Sequence, residues 1–448
     1  MDWVKLMSKQ RLRQAPYDKE SKTRSEFQKD YDRIAFSSPF RRLQDKAQVF
    51  PLSNNDYVRT RLTHSLEASC VGRSLGSIAG ECIIEKYNLS GIDINDFSTV
   101  VSTACLAHDI GNTPLGHSGE YAIREWFKKS SIGNKIISEI KNEQQRNDLL
   151  NYEGNAHGFR YLTKLEWPSQ VGGLQLTYAV LGAFVKYPCP SFVADPKEKI
   201  YKNKFSFFYD EQDLFFELAS GLGLKIIKEG KTWCRHPLAF LVEAADDICY
   251  HIVDVEDGHR LGQISYEEAK GLLLGLLDEK KICEAMDRMN NDKDKIEYLR
   301  AIAINVLVKE VGNFFCENIE EFTSGDFEGE ITKKMESSSK FYEFKKLAQE
   351  KVYTARQVVE VEVAGFTVIE KLLDSFVYAV EEKYKYGEEN LSPRAKSILY
   401  LIPESFIGED KVPEQDPYCR VLKIVDYVSG MTDSFAVSVF KKLSGILL

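Results

Sequence analysis

Apolar residues recur at three- and four-residue spacing along most of this chain, as in the stretches that begin at Thr63, Phe97 and Pro237. That period puts one side of a helix into a core and does not suit a pleated strand. Alternating patterns are few, and the best of them, KFSFFY at 204–209, reads equally well as the end of a loop packed on the core. The predicted fold is all-α, with little or no β-structure. Breaker clusters at 90–95, 187–191, 323–329 and 408–416 mark joints between helices. They support an N-terminal arm over 1–29, a large helical core over 30–268 and a helical C-terminal extension over 269–448 that completes the core. At 448 residues and 43% hydrophobic content, the chain can bury a large core. A net charge of −9 excludes a general attraction to nucleic acid or anionic membrane. The N-terminus lacks an apolar leader and no apolar tract is long enough to span a bilayer, so no membrane association is expected. Nine cysteines without a CxxC pair suit reduced thiols and a cytoplasmic location.

The chemistry gathers in CLAHDIGNTPLGHSGE, Cys105 to Glu120. An apolar helix ends in the adjacent pair His108 and Asp109, and a glycine follows two residues later. Alone, this could be a surface histidine beside a C-capping acid. Two other segments argue for more. His64 falls in the first turn of an amphipathic helix, on the side of Ala68 and Val71, where a core histidine is the plain alternative. Asp246 lies within the apolar stripe Leu238, Val242, Ala245, Cys249 and Ile252. A lone ionised carboxylate in such a stripe costs several kcal/mol, roughly, unless a cation, strong donors or a proton compensate it. Convergence of His64, His108, Asp109 and Asp246 on one divalent ion would meet that need. Mixed nitrogen and oxygen donors favour Mn²⁺, Mg²⁺, Fe²⁺ or Co²⁺ over a thiolate-bound structural zinc.

These residues match the H…HD…D signature, and their surroundings carry more information: FRRLQDKAQVFP at 40–51, RTRLTHSLE at 59–67, AHDIGNTPLGHSGE at 107–120, EGNAHGFR at 153–160, KYP at 186–188, RHPLAFLVEAADDICY at 235–250 and DYVSGMTD at 426–433. Together they resemble the deoxyguanosine triphosphate triphosphohydrolases, a family of HD-domain metal-dependent phosphohydrolases. The resemblance is dense from about Asp30 to Asp257, returns near Arg420 to Ala436 and is weak between. It implies a largely helical fold, a divalent metal, and hydrolysis of dGTP at the α-phosphorus to deoxyguanosine and intact triphosphate. A broader deoxynucleoside triphosphate range is the close alternative, because the base-reading residues are the part least visible here. The resemblance also implies a homo-oligomer, often a hexamer, with contacts from the C-terminal extension and allosteric control by a nucleotide or DNA. Departures are small: His157 stands where many relatives carry glutamine, and Ala47 where threonine is common. His157 lies near the phosphate-contacting motif and so bears on substrate range.

Roles follow from the resemblance. His117 and Glu120, three apart at a helix start, share a face and are assigned to acid–base chemistry. Tyr250 and Asp254 follow Asp246 at four and eight residues on one helix face. Resemblance sets Tyr250 against the deoxyribose and Asp254 on its 3′-hydroxyl, assisted by Gln48, with Val49 crowding the 2′ carbon. Arg61, Asn155, Lys186 and Tyr187 are assigned to the triphosphate. Each has a bland alternative: Tyr250 as core, Asp254 as a solvated acid, Arg61 as a surface ion pair, Lys186 as a loop lysine and Asn155 as a turn former. No glycine loop forms a P-loop or a dinucleotide fingerprint. A less direct reading is a nucleotide-regulated protein that binds single-stranded DNA through the lysine-rich 331–356 segment, at Lys333, Lys334, Lys345 and Lys346.

Overall fold

Two antiparallel helices organise the molecule. Helix Arg61–Tyr87 starts at a reciprocal cap between Thr60 and Thr63 and ends at Asn88, which is left-handed. Helix Ile94–Ala107 starts at a matching box between Asp93 and Asp96 and ends at His108. Three glycines of the first helix, one turn apart, let the second lie close. A Cβ added at Gly76 would fall 2.7 Å from the Ser98 Cα and 2.8 Å from the Phe97 carbonyl oxygen, which are backbone atoms and cannot yield. At Gly72 and Gly80 an added Cβ would meet side chains instead, Cys105 Sγ at 2.5 Å and Phe97 Cβ at 2.9 Å. Helix Pro237–Arg260, opened by a proline at its first turn, packs across both.

The computed structural model describes residues 1–13, 23–50, 52, 57–169, 172–192, 204–228, 232–277 and 282–446. Its architecture is all-α, apart from a small antiparallel hairpin of Ile226–Lys228 with Thr232–Trp233. The 204–209 stretch is not a strand: Phe207 makes a single bridge to Pro190, and Phe205, Phe207 and Phe208 are buried as loop residues. No helix among the described residues is long and apolar enough to cross a membrane.

The hydrophobic interior forms two clusters. One surrounds the helices just described and takes in Leu299, Leu307 and Phe315 of helix Asp292–Glu317 and Phe341 and Phe344 of helix Ser338–Lys351. The other joins Ile123 and Phe127 of helix His117–Lys129 to Leu372 and Phe376 of helix Arg356–Tyr386 and to Val421 and Val425 of helix Pro417–Ser429. Neither cluster ends at residue 268, because residues on both sides of that point are needed to cover the same apolar faces. The described part of the 1–29 arm packs onto the first cluster. Trp3, Leu6 and Leu12 are buried, and Arg11 pairs with Asp30 at 2.6 Å and Glu26 at 2.8 Å. Eight cysteines are described as free thiols; of these Cys105, Cys189, Cys234 and Cys249 are buried, while Cys70 is exposed.

The glycine contact yields a paired test by urea unfolding. Gly76→Val forces atoms into fixed backbone and is expected to cost about 1–3 kcal/mol. Gly271→Ala, in a helix position with nothing within 4 Å, is expected to be neutral or to stabilise by up to about 1 kcal/mol.

Candidate metal and nucleotide site

His64 projects from the first turn of helix Arg61–Tyr87, and His108 from the end of helix Ile94–Ala107, so the antiparallel pairing brings their rings together at a centroid distance of 5.2 Å. One donor atom each from His64, His108 and Asp109 lies within 4.8 Å of the others, and this group could hold a metal ion. Asp246 joins them from helix Pro237–Arg260: its Oδ1 is 3.0 Å from His64 Nε2 and 3.4 Å from His108 Nε2. Its side chain keeps 28% of its surface exposed, because the apolar stripe opens there onto a cavity and not onto the core.

The donor set fits a cation on two independent counts. His108 Nδ1 donates to the Cys105 carbonyl at 2.6 Å, which holds the ring so that Nε2 faces the carboxylates. Asp109 Oδ1 accepts from Arg61 at 2.8 Å and from Asn112, while its Oδ2 is buried without a hydrogen-bond partner among the described residues. Without an ion, a proton takes part of that place. Burial works against the His108 imidazolium, but Asp109 and Asp246 outweigh it and push its pKa up to about 9. Burial raises the Asp246 carboxyl, and the facing His108 more than offsets this, leaving it well below the usual range.

Beside this cluster lies a cavity of about 440 Å³. Gln48, Arg61, Asn155, Lys186, Tyr187 and Tyr250, all expected from the sequence, line it together with His117. His117 is 74% exposed at the rim, with Nδ1 3.9 Å from Glu120 Oε2. Glu120 is buried and anchored by the Gly154 amide at 3.0 Å and by Arg124 at 3.4 Å. Lys186 meets Glu243 at 3.3 Å, and that carboxylate also takes Arg235 at 2.6 Å. Burial opposes the Lys186 ammonium, yet Tyr187 and Glu243 raise its pKa.

The comparisons bear on what such a site belongs to. Residues 61–166 match the HD domain family. The chain is 41% identical to a deoxyguanosinetriphosphate triphosphohydrolase-like protein of Synechocystis sp., over 100% of each chain. It is 38% identical to one of the same description from Pseudomonas aeruginosa, over 99% of each. A third, from Listeria monocytogenes, is 32% identical over 100% of each. The chain belongs to the deoxyguanosinetriphosphate triphosphohydrolase family of HD-domain proteins. It is a phosphohydrolase.

Within this family member the structure also departs from the sequence reading. Val49 and Asp254 do not line the cavity. Asp254 is buried and accepts the hydroxyl of Tyr353, and it is Tyr353, its ring 5.8 Å from that of Tyr250, that reaches the cavity wall. His157, expected to bear on substrate range, does not line the cavity: it is fully buried, with Nδ1 3.2 Å from the Gly111 carbonyl oxygen and Nε2 3.3 Å from Asp426. The lysine-rich 331–356 segment is not one basic face. Lys333 pairs with Glu330 at 2.6 Å, Lys334 lies over the Phe327 ring, and Lys345 faces the cavity.

The lining residues that sequence reasoning missed include Lys204, Asp247, His251, Lys345, Gln349 and Tyr353. Only Asp247 and His251 carried a signal, being neighbours of the helix face already identified. Burial pushes the Asp247 carboxyl up to about 7.

The raised His108 pKa sets a test on the metal-free protein. Below pH 9 a bound ion must displace the proton on this ring. Mn²⁺ titrated by calorimetry in two buffers of different ionisation enthalpy is expected to release about one proton per ion at pH 7 to 8. The apparent affinity should rise about tenfold per pH unit up to about 9 and then level off.

Proposed function

We propose that the protein hydrolyses dGTP at the α-phosphorus, giving deoxyguanosine and inorganic triphosphate. The observation that carries the reading is the shared position of the His64, His108, Asp109 and Asp246 cluster and a nucleotide-sized cavity that carries four cationic side chains among its acidic ones. Guanine as the base is taken from the description shared by the relatives. Arg61, Lys186, Lys204 and Lys345 line the cavity, and so do Asp109, Glu243, Asp246 and Asp247. These charges nearly cancel, so a polyanionic triphosphate needs a further positive charge. When bound, a divalent ion, Mn²⁺ or Mg²⁺ on this donor set with Fe²⁺ or Co²⁺ as alternatives, supplies that charge and Lewis-acid polarisation of the phosphoryl group.

The side chains have the following roles in this reading. Lys186, Lys204, Lys345, Asn155 and Tyr187 hold the triphosphate through charge-assisted hydrogen bonds. Lys345 has no ion-pair partner among the described residues, so it meets the substrate without first breaking a salt bridge. Gln48 Oε1 is buried without a hydrogen-bond partner among the described residues, and it accepts the 3′-hydroxyl. Tyr353, whose hydroxyl hydrogen is committed to Asp254, offers a second acceptor. The Tyr250 and Tyr353 rings press on the sugar and leave a 2′-hydroxyl without a partner, which disfavours ribonucleotides. Water adds to the α-phosphorus as its bond to the 5′ oxygen breaks. His117 delivers a proton to that leaving oxygen, with its ring oriented by the Glu120 carboxylate; the proton that the added water loses passes to solvent, from which the exposed His117 is recharged.

Assembly into a homo-oligomer such as a hexamer, with a nucleotide or DNA effector, belongs to the same proposal. A wider deoxynucleotide range is the second reading, since no cavity residue singles out guanine.

Phosphorus NMR of a dGTP incubation with Mn²⁺ is expected to show triphosphate alone, with deoxyguanosine by chromatography; pyrophosphate or orthophosphate as first product would refute α attack. Equal rates on all four deoxynucleotides would remove guanine preference. His117→Ala is expected to lower kcat by about 10²- to 10⁴-fold. Lys345→Met is expected to raise KM by about tenfold, the loss of one hydrogen bond to a charged group.

A further inference from the structure

The DYVSGMTD motif at 426–433 contributes no residue to the cavity lining, yet its last residue grips the two loops that feed it. Asp433 is 2% exposed. Its Oδ1 accepts the Leu115 amide at 2.8 Å and its Oδ2 the Ala47 amide at 3.0 Å. Leu115 lies two residues before His117, and Ala47 immediately precedes Gln48.

The Leu115 amide is not an ordinary loop donor. Leu115 has φ +61°, in the left-handed region that leucine rarely occupies, and Gly116 follows at +66°. Helix His117–Lys129 starts directly after this turn, and its N-cap Gly116 has no side chain to close it. Such a conformation persists only when its surroundings hold it. The carboxylate is one holding group. Lys46, also buried, is another: its amine donates to the Asn112 carbonyl of the same loop and, at 3.0 Å, to the Ser429 carbonyl of the same motif. The C-terminal motif thus meets the 112–116 loop both directly and through Lys46.

We infer that Asp433 is a positioning residue, whose carboxylate fixes the strained turn before His117 in register with the segment that carries Gln48. Proton donor and sugar-binding amide then keep one separation although they come from different elements. The inference rests on His117 being the proton donor.

A double-mutant cycle of Asp433→Asn with His117→Ala tests it, with kcat on dGTP and Mn²⁺ affinity measured for all four proteins. Asparagine keeps the shape but turns an amide N–H toward a backbone N–H. The substitution is expected to lower kcat by about tenfold or more in the wild-type background, since small misplacements of reacting groups are costly. In the His117→Ala background the loss should be less than about twofold. Mn²⁺ affinity should stay within about twofold of wild type, whereas general loosening would weaken it. Equal losses in both backgrounds, or unchanged kcat in Asp433→Asn, overturn the inference. Wild-type kcat in His117→Ala overturns the acid–base reading and the inference with it, and that single variant tells this failure apart. Should Asp433→Asn not fold, the same cycle with Lys46→Gln carries the test, with the same expected and overturning results.

Discussion

The close contact between helices Arg61–Tyr87 and Ile94–Ala107 is the constraint on which the site depends. Each helix contributes one imidazole near an end, and only an antiparallel approach at glycine distance puts the His64 and His108 rings 5.2 Å apart. Larger residues at Gly72, Gly76 and Gly80 would meet Cys105, Ser98 and Phe97 at less than contact distance. Helix Pro237–Arg260 then closes the third side and delivers Asp246. Packing therefore brings together groups whose mutual electrostatics are only balanced when a cation, or a proton on His108, lies among them.

The cavity beside them follows a similar logic. Several of its cations are already engaged: Arg61 with Asp109 at 2.8 Å, Lys186 with Glu243 at 3.3 Å and Lys204 with Glu153 at 2.8 Å. These pairs hold long side chains in place before a ligand arrives, which lowers the entropy lost on binding. Support continues behind the cavity. Arg160 joins Asp426 at 2.9 Å, and Asp426 also faces His157. His157, a departure from the glutamine common in relatives, therefore lies between the C-terminal motif and the loop at Gly111, 3.3 Å from Asp426 and 3.2 Å from that carbonyl.

Legibility in the sequence differed by kind of residue. Asp246 was visible because a carboxylate inside an apolar helical stripe demands compensation, and His64 and His108 because they flank the same pattern. The helices were visible because periodicity and capping act over a few residues, as with Thr60 and Thr63 or Asp93 and Asp96. Asp254 was read onto the cavity because eight residues return to the same helix face; in the structure Tyr353 takes that place and uses the acid as its own acceptor. Lys345, Gln349 and Tyr353 come from a segment whose sequence shows only a lysine-rich amphipathic helix. Nothing local in that pattern distinguishes a cavity wall from a solvated face.

What the sequence by itself determined is the helical class and the motif set that marks the family, and it singled out the four side chains proposed to share an ion, because each depends on residue chemistry or on spacing within one helix. The tertiary structure alone decided which distant segments close the cavity, how residues on both sides of 268 divide into two apolar clusters, and that Asp433 reaches the turn before His117. Those outcomes depend on which apolar faces cover one another. Many pairings satisfy the same helical periodicity, and the choice among them is made by shape and by the pairing of buried polar groups across the whole chain.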